Sequence, residues 1–147
     1  MTARAERIRV FLFKREYFDA FHLRVAIGMS FGGCIVDVLD QSEAGMRTAC
    51  AIARSDDRVP GLILVEQVRR DPRTVMKLDR IRGLPELRPL PVVILGDGEE
   101  PDSVLRAYQA GADGFIPLPE HAIALPRIGR DLEQFWWEHR TARLSGT

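Results

Sequence analysis

The stretch 90–120, LPVVILGDGEEPDSVLRAYQAGADGFIPLPE, constrains the fold more than any other, because its start and stop signals are complete. Val92-Val93-Ile94-Leu95 is a short continuous apolar run after a proline, the pattern of a strand buried on both faces. Gly96-Asp97-Gly98 ends it. Pro101 stands where a first helical turn tolerates proline, Val104, Leu105 and Tyr108 share one face, and Gly111 follows where a left-handed cap stops a helix. Gly114-Phe115-Ile116-Pro117 reads as a second buried strand. A strand, a helix and a strand joined by short loops form the parallel crossover unit, which is almost always right-handed. The core is expected to be an α/β sheet.

At 147 residues the chain is long enough for one domain with a full core, and no shift in composition argues for two. The expectation is a single domain over 1–147, with its core at about 7–140 and a frayed tail. Its 21 basic and 21 acidic residues balance, so no global field marks it for nucleic acid or an anionic membrane. Cys34 and Cys50 fall on apolar segments without metal-ligand spacing and read as reduced core residues. No apolar run reaches membrane-spanning length, and MTARAERIRV lacks the apolar region of a signal peptide. A soluble cytoplasmic protein is expected.

In chain order, Ile8 to Phe13 is a first strand that stops at Lys14-Arg15. Residues 16–29 carry Phe18, Phe21, Val25 and Met29 at helical spacing, which predicts a first helix covering the sheet with that stripe. Ser30 to Gly33 is its exit loop. Cys34 to Val38 is a second strand, and Asp40 with Glu43 three residues on resembles a capping pair for a helix reaching about Arg54, with Ala49, Cys50 and Ala53 inward. Leu62 to Val65 is a third buried strand ending at Glu66 and followed by the charged loop QVRRDPR. Val75, Leu78 and Ile81 give the next helix its apolar face. Pro126 is best placed in a first turn, so the last helix is expected to begin near Ala124. There Ile128, Leu132, Phe135, Trp136 and His139 form one stripe, and Trp137 points about a quarter-turn away.

Five alternating units with short connections fit a doubly wound, flavodoxin-like parallel sheet of order 2-1-3-4-5 with helices on both faces. Sites on such sheets lie at the carboxyl ends of the strands. Over about residues 7–140 the sequence resembles a receiver domain of two-component response regulators, most specifically in LILVE, PVVILG and AGADGFIPLP, each in order and at the family's spacing. The resemblance implies a CheY-like signalling module of a phosphorelay. It also implies where its chemistry should be, and there the residues differ. Lys14 and Arg15 stand where the family has an acidic pair that holds magnesium. Glu66 stands at the phospho-accepting aspartate, Gly96 at the hydroxyl residue, and Leu118 at the lysine, with the following proline kept as Pro119. Phe115 matches the family's aromatic switch position.

Magnesium takes oxygen ligands, and here one carboxylate faces two cations. Phosphoryl transfer relies on positioning and charge stabilisation, and the hydroxyl and ammonium that supply them are missing. The expectation is a pseudo-receiver: not an enzyme, with no metal and no cofactor, acting on a protein partner or on a second copy of itself. Trp137, with Arg130, Glu133 and Arg140, is the candidate interface on the last helix. The alternative is an anion- or nucleotide-sensing module that uses Lys14, Arg15, Arg69, Arg70 and Arg73. An enzyme is the third class, but no glycine-rich phosphate loop, nucleophile elbow or paired carboxylates support it. His121 and His139 lack partners at metal or triad spacing.

Overall fold

Leu- and Val-rich runs with apolar residues on both faces can bury themselves only between two helical layers, and the chain builds that arrangement. The computed structural model describes residues 8–14, 20–55, 61–67, 73–96, 101–118 and 126–145, with backbone alone at 20, 103 and 140–145. Strands β1 (Arg9–Lys14), β2 (Ile35–Asp40), β3 (Gly61–Glu66), β4 (Val92–Gly96) and β5 (Gly114–Pro117) are all parallel, in the order β2-β1-β3-β4-β5. This is the expected doubly wound sheet. Helices α1 (Ala20–Gly28), α2 (Glu43–Ser55), α3 (Arg73–Arg82), α4 (Pro101–Gln109) and α5 (Pro126–Ser145) connect and cover it.

The two-residue period of the strands divides the core. Phe11, Phe13, Ile63, Val65, Val92 and Ile94 face α2, α3 and α4, where Met46, Ala49, Cys50, Leu78, Ile81 and Ala107 meet them. Val10, Leu12, Leu62, Leu64, Val93 and Leu95 face α1 and α5, which supply Leu23, Ile27, Ile128, Leu132 and Trp136. All six residues of β3 are buried, as a central strand between two layers requires.

Two helices, α1 and α4, turn a different face inward from the one their apolar spacing predicts, and α3 keeps Leu78 and Ile81 inward as expected but not Val75. On α1 the sheet is covered by Leu23 and Ile27, while Phe21, Val25 and Met29 are 66%, 45% and 75% exposed; Phe18 lies outside the described residues. On α3 Thr74 is buried in place of Val75, and on α4 Ala107 is buried while Leu105 and Tyr108 are exposed. On α4 the small side chain of Ala107 at the contact lets a short helix sit close to the sheet, and the larger Leu105 and Tyr108 then fall outside it. The cap of α2 also differs. Ser42 Oγ accepts the Gly45 N–H at 3.3 Å, Asp40 Oδ1 accepts the Ser42 N–H at 2.9 Å, and Glu43 pairs with Arg80 instead of capping. The other expectations hold at Gly111, whose φ of +106° ends α4, and at Pro126, the first residue of α5.

The AGAD sequence has a structural role at the amino ends of the strands. Asp113 Oδ2 accepts from Arg82 Nη2 at 2.7 Å and from the Val92 N–H at 2.8 Å. Arg82 also donates to the carbonyls of Leu90 and Gly111 at 3.0 and 2.8 Å. One guanidinium thereby ties α3, the connector into β4 and the turn into β5.

Candidate functional site

The carboxyl ends of the strands bring together Lys14 on β1, Asp40 on β2, Glu66 on β3, Gly96 on β4 and Leu118 just past β5. Register does this: Lys14 pairs with Asp40, Glu66 with Leu95, and Gly96 with Pro117, and the backbone bonds from Gln67 N to Leu95 O and from Leu118 N to Gly96 O extend the ladder one step. Glu66 is only 2% exposed, so it is not the solvated acid of an ordinary strand end. Lys14 and Leu118 are half-buried. Arg15, Arg69, Arg70, Pro119 and His121 lie outside the described residues, and Arg73 is exposed on the first turn of α3.

Three side chains that sequence reasoning missed organise this end of the sheet. Gln41, buried just after β2, donates through Nε2 to Phe13 O at 3.1 Å and to Glu66 O at 2.9 Å, so one amide spans the ends of β1 and β3. Lys77 on α3 donates to Gln41 O and holds the loop from behind. Gln67 covers β4: a Cβ added at Gly96 would lie 3.0 Å from Gln67 Oε1, 3.2 Å from Gln67 Cβ and 3.3 Å from Phe115 Cζ. The space beside Gly96 is filled by an amide and a ring. No short-range sequence signal marks these residues, because Gln41 and Lys77 act on carbonyls 25 to 36 residues away.

Electrostatics around the site are paired rather than of one sign. The Ser42 hydroxyl and N–H hold the Asp40 carboxyl below its ordinary range, with Lys77 adding a smaller pull. Arg80 does the same to Glu43 through its hydrogen bonds. Among the described residues no group of three or more His, Cys, Asp or Glu could hold a metal ion.

The cysteines are distant from this chemistry. Cys34 donates to Ile27 O at 3.1 Å, and burial, helped by the Glu133 charge, raises its thiol to about 11. Cys50 is raised as well, chiefly by burial. Raised thiols remain protonated at neutral pH, so iodoacetamide should label Cys34 in the folded protein on the order of 100-fold more slowly than in the denatured chain. Peptide mass spectrometry with and without denaturant reads this, and equal rates would contradict the assignment.

On the other side of the molecule, a groove of about 440 Å³ runs along the β5 edge between Tyr108 of α4 and Phe135, Glu138 and His139 of α5. Phe115 lines it while its ring tip reaches Gly96, so one side chain touches both the strand ends and the groove. Phe135 stacks on His139 with centroids 5.3 Å apart. Trp137 is 61% exposed, as its place off the core stripe predicts, and Arg130 is exposed. Glu133 accepts the Phe31 N–H at 2.6 Å. Arg140 lies in α5, its side chain outside the description.

The fold built from this sheet and its helices coincides with that of several solved proteins. The phosphorylated cyanobacterial phytochrome response regulator RcpA superposes with a TM-score of 0.66 at 23% identity, over 89% of this chain and 94% of that one. Response regulator RPA3017, in red light signaling of R. palustris, gives 0.67 at 18% identity, over 88% and 93%. The chain has the receiver fold. The chemotaxis response regulator CheY4 of Vibrio cholerae agrees, at 0.64 and 13% identity over 88% of this chain and 98% of that one. No protein-family model matches the sequence, and no curated protein matches it. The likeness therefore covers nearly the whole of a receiver fold and reaches it through structure rather than sequence. Among the described residues no helix is long and apolar enough to cross a membrane.

Proposed function

We propose that this chain is a receiver-like signalling module that works through protein contacts and does not take a phosphoryl group. The observation that carries the reading is the filled space beside Gly96. A serine or threonine at that position would press on Gln67 and Phe115, which would have to give by a few tenths of an ångström, so the hydroxyl that steadies a phosphoryl oxygen has no residue to supply it and little room. The metal does not fit either. Magnesium needs several oxygen ligands, and among the described residues the strand ends offer a lysine at 14, Asp40, whose carboxylate already accepts from Ser42, and one buried carboxylate at 66. Gln41 and Lys77 also occupy the carbonyls and the loop around that carboxylate, so the site is built as a packed structural element.

The groove beside β5 supports a binding role, because Phe115 makes its lining respond to any rearrangement at the strand ends. Intact-mass measurement after treatment with acetyl phosphate and magnesium is the test. The mass is expected to be unchanged. A stable, stoichiometric phosphorylated species would overturn the reading.

A further inference from the structure

Strand β5 is an edge of the sheet, and the alternation of backbone groups tells which of them face outward. Ile63 N donates to Pro91 O at 2.9 Å and Gln67 N to Leu95 O at 2.7 Å, so 91, 93 and 95 turn their backbone groups to β3, and 92, 94 and 96 turn theirs to β5. Leu118 N on Gly96 O, at 2.8 Å, agrees. Within β5 it is then Gly114 and Ile116 that bond to β4. The N–H and C=O of Phe115 and the C=O of Pro117 point away from the sheet, and no described residue bonds them. The groove of about 440 Å³ runs along this edge, because residues 113–117, which alternate between the two faces, all line it, with Tyr108 on the α4 side and Phe135 on the α5 side. Its charge has one sign. No lysine or arginine lines it among the described residues; Asp113 is held by Arg82, which leaves Asp131 and Glu138, one turn before and one turn after Phe135.

We infer that this edge binds an extended peptide segment with basic residues at alternate positions, added to the sheet as a strand between α4 and α5. Phe115 presents a donor and an acceptor on one residue, and a strand added in either direction takes both. The peptide residue opposite Phe115 points to the α4 side, as Phe115 does. Its two neighbours then fall on the α5 side, where the Phe135 ring covers Gly114, 2.8 Å from where a Cβ would stand. Those neighbours are about 7 Å apart and Asp131 and Glu138 about 10 Å apart along α5, a difference that the long stems of lysine or arginine span. Two basic side chains thus meet two acids. The backbone favours donors too, since Pro117 brings a carbonyl to the edge and no N–H. A second copy is disfavoured, because its own edge would set Asp131 and Glu138 against the same two acids.

The inference names the class of partner for the groove and rests on the reading of the chain as a binding module. Fluorescence anisotropy of the full chain at low salt tests it, with a labelled peptide of about nine residues in which lysine alternates with valine. That peptide should bind. A peptide of the same composition with its lysines and valines in separate blocks, and an alternating peptide methylated on its central backbone nitrogens, should each bind on the order of 10-fold more weakly. Glu138 is exposed, so Glu138→Lys should melt close to wild type and still bind the alternating peptide on the order of 10-fold more weakly. In the NMR spectrum the Phe115 amide proton should move downfield on binding, as it gains an acceptor. Absence of saturable binding, equal binding of the block or the methylated peptide, a Glu138→Lys chain that binds as wild type does, or an unmoved Phe115 amide overturns the proposal. So does a wild-type dimer that moves the Phe115 amide with no peptide present, which would assign the edge to a second copy. Phosphoryl acceptance is read by intact mass alone, so the two readings fail separately.

Discussion

Gly45→Ala destabilises the protein, although the same exchange in an ordinary helix is stabilising. In a helix interior alanine is favoured over glycine by about 1 kcal/mol. At Gly45, in the first turn of α2, the added Cβ would lie 2.0 Å from Asp40 O and 3.0 Å from Asp40 C. The obstacle is backbone and cannot rotate away. The start of α2 must move from the end of β2, and forced shifts of this kind cost about 1–3 kcal/mol and occasionally more. The clash should win by about 2 kcal/mol, and the melting temperature should fall by about 4–8 °C. The displacement passes directly to Gln41, which lies between β2 and α2. A melting temperature equal to or above that of wild type would show that the close approach is not as described.

The sheet was legible because its signals are local. Each strand is a short apolar run closed by glycine, proline or charge, and five such runs alternating with helical periodicity leave few topologies. The phase of α2 and α5 was legible, with Ala49, Cys50, Ile128, Leu132 and Trp136 buried as their spacing predicts, and the phase of α1 and α4 was not. On α1, Leu23 with Ile27 and Phe21 with Val25 and Met29 are both valid stripes at helical spacing, and hydrophobicity favours the second. The first faces the sheet, with Gly28 near Val36 of β2 and Gly129 admitting Ser30 of the turn after α1. The contact of Ser30 with Gly129 joins residues about 100 positions apart, beyond any periodicity argument. The same holds on α4, where Ala107 is buried and Leu105 is outside.

At the site, the positions of Lys14, Glu66, Gly96 and Leu118 followed from counting strand ends and that of Phe115 from the resemblance alone, and the fold places the first four at one end of the sheet with Phe115 in contact. What could not be read was how Glu66 is accommodated. The sequence offers lysine and arginine as obvious partners for an acid, and it does not reveal the buried glutamine amide that holds the backbone around it. A glutamine after a strand carries no signature, because its partners are carbonyls that every residue has. Arg80 with Glu43 and Arg54 with Glu86 are exposed ion pairs between helices and contribute little by comparison.

Gln41→Leu isolates that contribution, because leucine nearly conserves the volume and removes the amide. Wild-type Nε2 serves both Phe13 O and Glu66 O in a buried position, so the variant leaves two strand-end carbonyls short of a donor. A buried group deprived of its partner costs about 1–3 kcal/mol, which puts the loss at about 2–4 kcal/mol after partial relaxation. The melting temperature should drop by about 5–15 °C. The loss has a location as well as a size. Amide hydrogen exchange should accelerate first at the ends of β1 and β3, and at Gln67 and Phe115 beyond them, while the Arg82 and Asp113 end keeps its protection. Uniform acceleration would mean that Gln41 merely fills space. Loosening confined to the strand ends, reaching the β5 groove through Phe115, would make Gln41 the residue whose amide ties the ends of β1 and β3 together and couples them to the groove.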